Sequence, residues 1–552
     1  MRLAQLTTSA AIAVLVAACG GNESQGTTTE VDEATAASAL AALHLATSGE
    51  GAVSWGERTF DDGVYTFTDV VFADTTPDDD DAEAALTDED GNAIELDSGS
   101  DVDFDAVRAE RMIVAAPRFD DDGDVIFDRL SIENATFVGE EGETSEGGFT
   151  RLLLENPNAA MVADFARGFS GVEPDEDEDP DFASYRFDNF AFEGLNMASP
   201  NADEDFEFTL ARFAMSDYQG DRLGRFELSG FGFAGTDPEA GEIRFGFDEM
   251  VIENIGPSMI DGVNRGIAAE MASQAGEALV EEAGAVDIDS YNPFDAYDSF
   301  RFTGLDANIG GVIVNMDSLS AAIDERAGEV VMTSNMTPLV VRPNTEQAFG
   351  AQLALGLGML GYQQIELQGG SEAVYDLDDD RVYSRGENYF EMTDGFRIEA
   401  ESDLAGYMAY AREAMRLSTA MQPGDLDGED MMAIFDPLMI NRLVIRLEDH
   451  SLLDRALTAG SAAQGMSKDE LRQQAGAMIS LGLMGVPAEV PRPLVSQLSE
   501  ALVSFINEGG TITIAVEPEE PISIGTLVRA GETGAFDFDA YGITVSAEPA
   551  AE

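Results

Sequence analysis

"YRFDNFAFEG", residues Tyr185–Gly194, is the stretch on which the fold turns. Tyr185 and Phe187 are two residues apart, as are Phe190 and Phe192, so each pair shares one face of an extended strand. From Phe187 to Phe190 the step is three. Alternation therefore slips by one residue at Asp188-Asn189, two poor strand formers that suit a bend, and the spacing predicts a strand with a bulge or a kink. The same phrase returns as "VIFDRLSIEN" around Phe127 and as "FGFDEMVIEN" around Phe247, sixty residues to either side (187 − 127 and 247 − 187). Phe67, in "YTFTDVVF", continues the spacing upstream; Phe302, in "FRFTGLDA", and Tyr362, in "LGYQQIEL", are looser copies, and Ile440 in "LMINRLVI" is a further one. Internal repetition constrains the whole architecture, so these aromatic residues are candidate repeat-strand anchors.

Strands and turns fill the space between the phrases. "MIVAAPRFDDDGDVIF" reads as two strands joined by a turn at Asp122-Gly123, and "RLGRFELSGFGFAG" adds a strand with Phe226 and Leu228 on one face. A helix is expected from Asn156 to Gly168. The second half carries more helix: Ile260, Val263, Ile267, Met271 and Leu279 recur at helical spacing, as do Leu404, Met408, Ala411 and Met415. Ser467-x-x-Glu470 is a capping box. Leu494, Leu498, Leu502 and Phe505 form a stripe stopped by Gly509-Gly510, and "TITIAVEP" then alternates as a strand. The expected fold class is α+β. Repeated antiparallel strands form long curved sheets with helices covering one side, and the C-terminal half is richer in helix. The expected divisions are 1–18 signal peptide, 19–35 tether, 36–256 β-rich repeats, 257–285 helix, 286–400 second β-rich region, 401–510 helical region, and 511–552 C-terminal strand and tail.

The N-terminus reads as a processing signal. Arg2 precedes an apolar run from Ala10 to Ala18, too short to span a bilayer and shaped like a secretory h-region. It ends Val16-Ala17-Ala18-Cys19, which resembles the bacterial lipobox. The resemblance implies cleavage before Cys19 and acylation of that residue, with Gly20 favouring the outer membrane over retention at the inner one. Cys19 is the single cysteine of the chain, which removes any disulfide framework and leaves an odd thiol that lipidation would explain. The Gly-, Ser-, Thr- and acid-rich residues after it suit a flexible tether. The balance of 107 acidic residues against 29 Lys plus Arg, net −78, repels polyanions, so nucleic acid is excluded as a partner and anionic headgroups are disfavoured. Solubility in a salty habitat accounts for such a surface, since at about 1 M salt the Debye length is roughly 3 Å. With 44% hydrophobic residues the chain still has the material to fold.

The recurring apolar-x-apolar-x-Asn/Asp-apolar phrases, as in "FDNFAF" and "INRLVI", resemble those of the YdgA-type and AsmA/TamB-type envelope proteins of Gram-negative bacteria, over much of Val64 to Leu447. The resemblance implies long antiparallel sheets, sometimes with an apolar concave face suited to lipid. It transfers no functional residue.

Chemistry is sparse. His44 and His450 are the two histidines, and neither has a second histidine or a cysteine at metal-ligand spacing. Asp449-His450-Ser451 holds three triad residue types in a row, but triads assemble in space, so adjacency carries no weight. "GFSG" at Gly168–Gly171 is one residue short of a nucleophile elbow, and the sole lysine, Lys468, lies outside any Gly-rich loop. "DDDGD" (Asp120–Asp124) and "DLDGED" (425–430) fail the calcium-loop frame, which would put Arg118 and Pro423 at its first position. Met408, Met415, Met421, Met431, Met432 and Met439 suit either helix packing or a deformable apolar site. The expectation is a non-enzymatic envelope lipoprotein without metal or cofactor, held to the membrane through Cys19. It would bind lipid or another hydrophobic ligand along a sheet groove. The alternatives are a structural scaffold with an envelope protein as partner and a hydrolase whose site is not recognisable.

Overall fold

A computed structural model describes residues 29–73, 104–139, 144–172, 182–198, 206–237, 241–260, 288, 291–420, 434–484, 492–533 and 540–550. Cys19, most of the expected tether, most of the expected helix 257–285, Met421, Met431, Met432 and the acidic run 425–430 lie outside the described residues. The chain divides into two compact units, Met1–Ile260 and Asp261–Glu552. Both are built on antiparallel strands with helices, so the fold class is α+β.

In the first unit, helix α1 (Glu33–Ala42) opens behind Asp32, whose carboxylate accepts from the Ala34 and Thr35 amides. Strands β1 (Val53–Ser54) and β2 (Glu57–Asp61) both pair with β3 (Val64–Ala73). β3 pairs with β4 (Phe104–Ala115), and a small hairpin of β5 (Arg118–Phe119) and β6 (Val125–Ile126) follows. The order then runs β4, β7 (Arg129–Gly139), β8 (Thr144–Glu155), β9 (Phe187–Ala198), β10 (Phe206–Tyr218), β11 (Leu223–Asp237) and β12 (Gly241–Ile255), each antiparallel to the one before. Helix α2 (Ala159–Ser170) joins β8 to β9. It ends at Gly171 in the left-handed region, which glycine enters without a Cβ penalty.

Two creases cross these eight main strands, and they explain the phrase. On the first crease lie Asp69, Glu110, Asn134, Thr150, Gly194, Ala211, Gly230 and Asp248, one per strand from β3 to β12. Pairing skips each of them while the register on either side is unchanged: Glu133 pairs with Arg151 and Ala135 with Phe149, on either side of Asn134. The residues at positive φ sit on every second strand, at Asp69, Asn134, Gly194 and Gly230. These are the residue types that enter the left-handed region most readily; for most others the cost is about 1–2 kcal/mol. The second crease carries Gly63, Ala116, Asp128, Asn156, Asp188, Asp217, Gly224 and Asn254, with positive φ on the strands that run the opposite way, at Ala116, Asn156, Asp217 and Asn254, and also at Gly63 beside β3. On every strand the two creases are six residues apart, as 254 − 248 shows for β12.

The phrase F-D-x5-N/G spans that interval: Asp128 to Asn134, Asp188 to Gly194, Asp248 to Asn254. In β7 and β9 the aspartate marks the second crease and the Asn or Gly the first; in β12, which runs the other way, the order reverses. The sixty-residue echo therefore marks the distance between creases and does not repeat one strand position. It covers two strands from β7 to β9 but three from β9 to β12. The slip read at Asp188-Asn189 falls on the second crease, and the left-handed residue there is Asp217, on the partner strand.

The second unit pairs β13 (Ser299–Ile309), β14 (Val312–Arg326), β15 (Glu329–Pro343) and β16 (Ile365–Asp376) in sequence. The two halves of β16 pair with β17 (Arg381–Ser384) and β18 (Tyr389–Met392), and both of these pair with β19 (Phe396–Ala405). β19 pairs with β20 (Met439–Asp449), which takes β21 (Gly510–Val516) and β22 (Ile522–Ser523); β23 (Ile543–Glu548) pairs with β21. The helices among the described residues of this unit are α3 (Ala348–Met359), α4 (Tyr407–Ala420), α5 (Leu452–Gln464), α6 (Lys468–Met484), α7 (Arg492–Glu508) and α8 (Ile524–Thr533). One core gathers Val330, Tyr375 and Val382 under Phe294, Tyr407 and Met408; another gathers Leu357, Tyr362 and Met392 with Leu353, Phe396 and Leu452. The stretch expected as helical, 401–510, thus also contains strand β20. Leu404, read as part of a helical stripe, belongs to β19, because Gly406 at φ 78° breaks the chain before α4 begins.

Candidate hydrophobic-ligand face

Between the creases each main strand of the first unit offers five residues, and the second and fourth of them are apolar on all eight. From β3 to β9 these are Tyr65 and Phe67, Met112 and Val114, Leu130 and Ile132, Leu152 and Leu154, Phe190 and Phe192, and every one is buried. α2 packs on this side, with the Phe169 ring 6.5 Å from that of Phe72 in β3, and α1 contributes Ala36, Ala39 and Leu40 to the core. The apolar side continues across the first crease. The rings of Phe149 and Phe192 lie on opposite sides of it and are 4.8 Å apart. Each strand shifts its alternation by one residue there, and so these apolar rows continue on the same side.

The opposite side carries a charge ladder along the first crease, while its middle row holds buried Leu153, Ala191, Ala214 and Val251. In the row next to the first crease, Arg111, Glu133, Arg151, Glu193 and Arg212 alternate in sign across β4 to β10. Arg111 pairs with Glu133, and Glu193 takes both Arg151, at 3.9 Å, and Arg212. Arg225 extends the set, bonding Glu227 at 3.2 Å and Glu253 at 3.0 Å. Each such exposed pair is worth about 0–1 kcal/mol. Their larger effect is to place the scarce cations on the polar side.

Over β10 to β12 the apolar side is more open, although Leu210 and Ile252 stay buried. Phe213 and Met215, Phe226 and Leu228, and Met250 fill the same positions as the buried residues above, yet they are half-buried. Beyond the first crease the side is aromatic. Phe208, Phe233 and Phe245 pair in one row, Leu210, Phe231 and Phe247 in the next. Phe231 stacks on Phe247 at 5.1 Å and meets Phe208 and Phe245 edge-on at 5.4 and 5.8 Å, while Phe233 is exposed. No titratable side chain interrupts these rows. From Phe226 to Phe233 the face runs about 23 Å at roughly 3.3 Å per residue. That exceeds the ~15 Å of one leaflet's hydrocarbon. Below the second crease the same side closes again: Phe187, Tyr218, Leu223 and Ile255 form one row, all buried, with Phe187 and Tyr218 stacked at 5.2 Å.

The candidate anchors fall in different settings. Phe67 is buried mid-strand in β3 against Trp55, ring to ring at 5.0 Å. Phe127 is buried just before β7 and Phe187 at the first position of β9. Phe247 is half-buried mid-strand in β12, and Phe302 is half-buried in β13. Tyr362 lies in the turn after α3, outside any strand, and its hydroxyl donates to the Asp394 carbonyl at 3.0 Å. The structure brings only Phe247 of these to the open face. Phe208, Phe231, Phe233 and Phe245 complete the face without being among the candidate anchors, although Phe-x-Phe doublets announce them.

The triad residue types do not converge. His450 lies 3.9 Å from Glu391 and 3.8 Å from Glu448. The Ser451 hydroxyl donates to the Asp394 carbonyl, and Asp449 accepts from the Leu453 amide at 2.9 Å at the start of α5. In the DDDGD turn Asp120 accepts from the amides of Asp122 and Asp124, at 3.0 and 2.9 Å. Among the described residues no group of His, Cys, Asp and Glu could hold a metal ion. Asp128, on the second crease, accepts from the Thr29 amide at 2.7 Å and from Arg118 at 2.6 Å. Burial alone would raise its pKa, but these bonds hold the carboxyl below the ordinary range. They also fix the chain from Thr29 onward, within the segment expected as tether.

A family model described only as an uncharacterized protein matches residues 389–548, the part from β18 to β23. No curated protein matches the chain.

Proposed function

We propose that this chain is a non-enzymatic lipoprotein of the bacterial envelope, anchored through acylated Cys19, that holds an acyl chain or similar hydrophobic ligand on the β10–β12 face. The observation that carries this is the open run of Phe208, Phe213, Phe226, Phe231 and Phe247 beside equivalent positions that are buried. Burying acyl chain contributes about 0.8 kcal/mol per CH₂, so ten methylenes outweigh the lower estimates of the ordering cost. The net charge of −78 selects neutral or zwitterionic lipid over anionic lipid.

Native mass spectrometry of the Cys19→Ser chain, purified without detergent, tests the reading. Co-purified lipid near one equivalent, lost on Phe231→Ser with Phe247→Ser, supports it. No lipid in either protein, and none taken up from phosphatidylcholine vesicles, refutes it and leaves a scaffold for envelope proteins.

A further inference from the structure

Helix α3 belongs to the second unit, whereas the strands of the proposed ligand face belong to the first, and its composition is out of keeping with the chain. From Gln347 to Ile365 no residue is charged, in a protein where one residue in four is. Its inner side is accounted for: Leu353 and Leu357 pack with Tyr362 and Met392. Its outer side carries Phe349, Leu355 and Met359, which are 58%, 72% and 71% exposed. Ile309, 49% exposed, ends β13 at the Ile309-Gly310-Gly311-Val312 turn, and that turn abuts the helix. A Cβ on Gly311 would stand 2.7 Å from the Gly350 amide nitrogen. The apolar edge therefore has two sources, a helix and a hairpin tip.

Cations flank the edge. Arg342 is next to last in β15, and Arg455 bonds the Gly361 carbonyl just past the end of α3 at 2.7 Å, its guanidinium 4.3 Å over the Tyr362 ring. The chain has only 29 cations; Arg455 sits at the C-terminal end of this uncharged apolar helix, and Arg342 precedes its start by six residues, with Glu346 between them. A protein partner would be met by a polar rim and by hydrogen bonds every ~100–200 Å². On its outer side α3 offers Gln352 alone, whereas hydrocarbon needs no such groups and lipid phosphates match flanking arginines.

We infer that the outer face of α3, with Ile309, is a membrane-surface docking edge that enters the interface of a zwitterionic bilayer, independently of the ligand face in the first unit. The test uses the full chain as Cys19→Ser, with Leu355→Cys labelled by an environment-sensitive fluorophore and a control label at Asp121→Cys. Adding phosphatidylcholine vesicles should raise the fluorescence at position 355 at least threefold. Spin-labelled lipid should quench that signal, and position 121 should not change. Phe349→Glu with Met359→Glu should abolish the rise; both side chains are exposed, and circular dichroism verifies that the fold is kept. Lipid-dependent quenching at 355 alone decides the matter should that variant misfold. No rise at 355 overturns the inference. So does an equal rise at 121, or a rise that needs no vesicles and grows with protein concentration, which would assign the edge to a second copy of the chain.

Discussion

Gly194→Ala tests the first crease directly. Gly194 holds φ at +68°, and a Cβ built on it would lie 2.5 Å from Thr150 Oγ1 and 2.7 Å from Thr150 Cγ2. The left-handed conformation costs alanine about 1 kcal/mol relative to glycine. The overlap is relieved only if Thr150 rotates, and rotation gives up the bond its hydroxyl donates to the Glu193 carbonyl at 2.8 Å. That bond is worth about 1 kcal/mol, and off-rotamer strain adds ~0.5–1.5 kcal/mol, so the expected loss is about 3 kcal/mol. Trp55, the single tryptophan, lies in the first unit against Phe67, so its fluorescence in a urea titration reports that unit alone. Thr150→Ala completes a double-mutant cycle. By itself it should cost about 1 kcal/mol, and in its presence Gly194→Ala should be cheaper by about 1 kcal/mol or more. Strict additivity, or a Gly194→Ala cost under about 0.5 kcal/mol, would mean that the two positions do not meet and that the crease is misplaced.

The phenylalanines of the repeated phrase should separate by depth: Phe187→Ala should cost about 3–5 kcal/mol, as for a fully buried ring, and half-buried Phe247→Ala under about 2, read from the same Trp55 transition. Asp403 accepts from Arg381 and, at 3.0 Å, from Asn441, and its carboxyl is held below the ordinary 3.8. Its contribution is therefore fully present above pH 3.8 and is lost as pH falls through the lowered native value. Calorimetry should accordingly find Asp403→Asn less stable than the parent at pH 7 and the gap narrowing below pH 3.8. Cys19→Ser should abolish incorporation of labelled fatty acid into the protein; incorporation that persists in the variant would refute the lipobox reading.

Local signals were legible wherever chemistry acts within a few residues. The capping box forms as read, with Glu470 accepting from the Ser467 amide at 2.8 Å and from its hydroxyl at 2.9 Å. Gly509 and Gly510 end α7 at positive φ, and β21 follows at once. The slip at Asp188-Asn189 was visible because three phenylalanines straddle it. The creases themselves were not, since half of each row is supplied by unremarkable residues such as Glu110 and Thr150, whose place is set by the neighbouring strand. For the same reason the phrase read as a tandem copy, although strand direction reverses between β9 and β12. The candidate face was half legible. Phe-x-Phe doublets state which side is apolar, but burial depends on what lies across from it, and that is a property of tertiary packing.

The six-residue interval between creases also restricts how such a chain can change. Removing one residue between Asp188 and Gly194 would leave β9 out of step with β8 and β10 at one crease or the other, and every apolar side chain beyond the cut would turn to the wrong side. A neighbouring strand could follow only by losing a residue too, and so on across the unit. Insertions and deletions between related sequences should therefore be absent from the interval and gather beyond the creases, and an alignment of relatives would show a fixed-length frame of eight segments with variable lengths only between them.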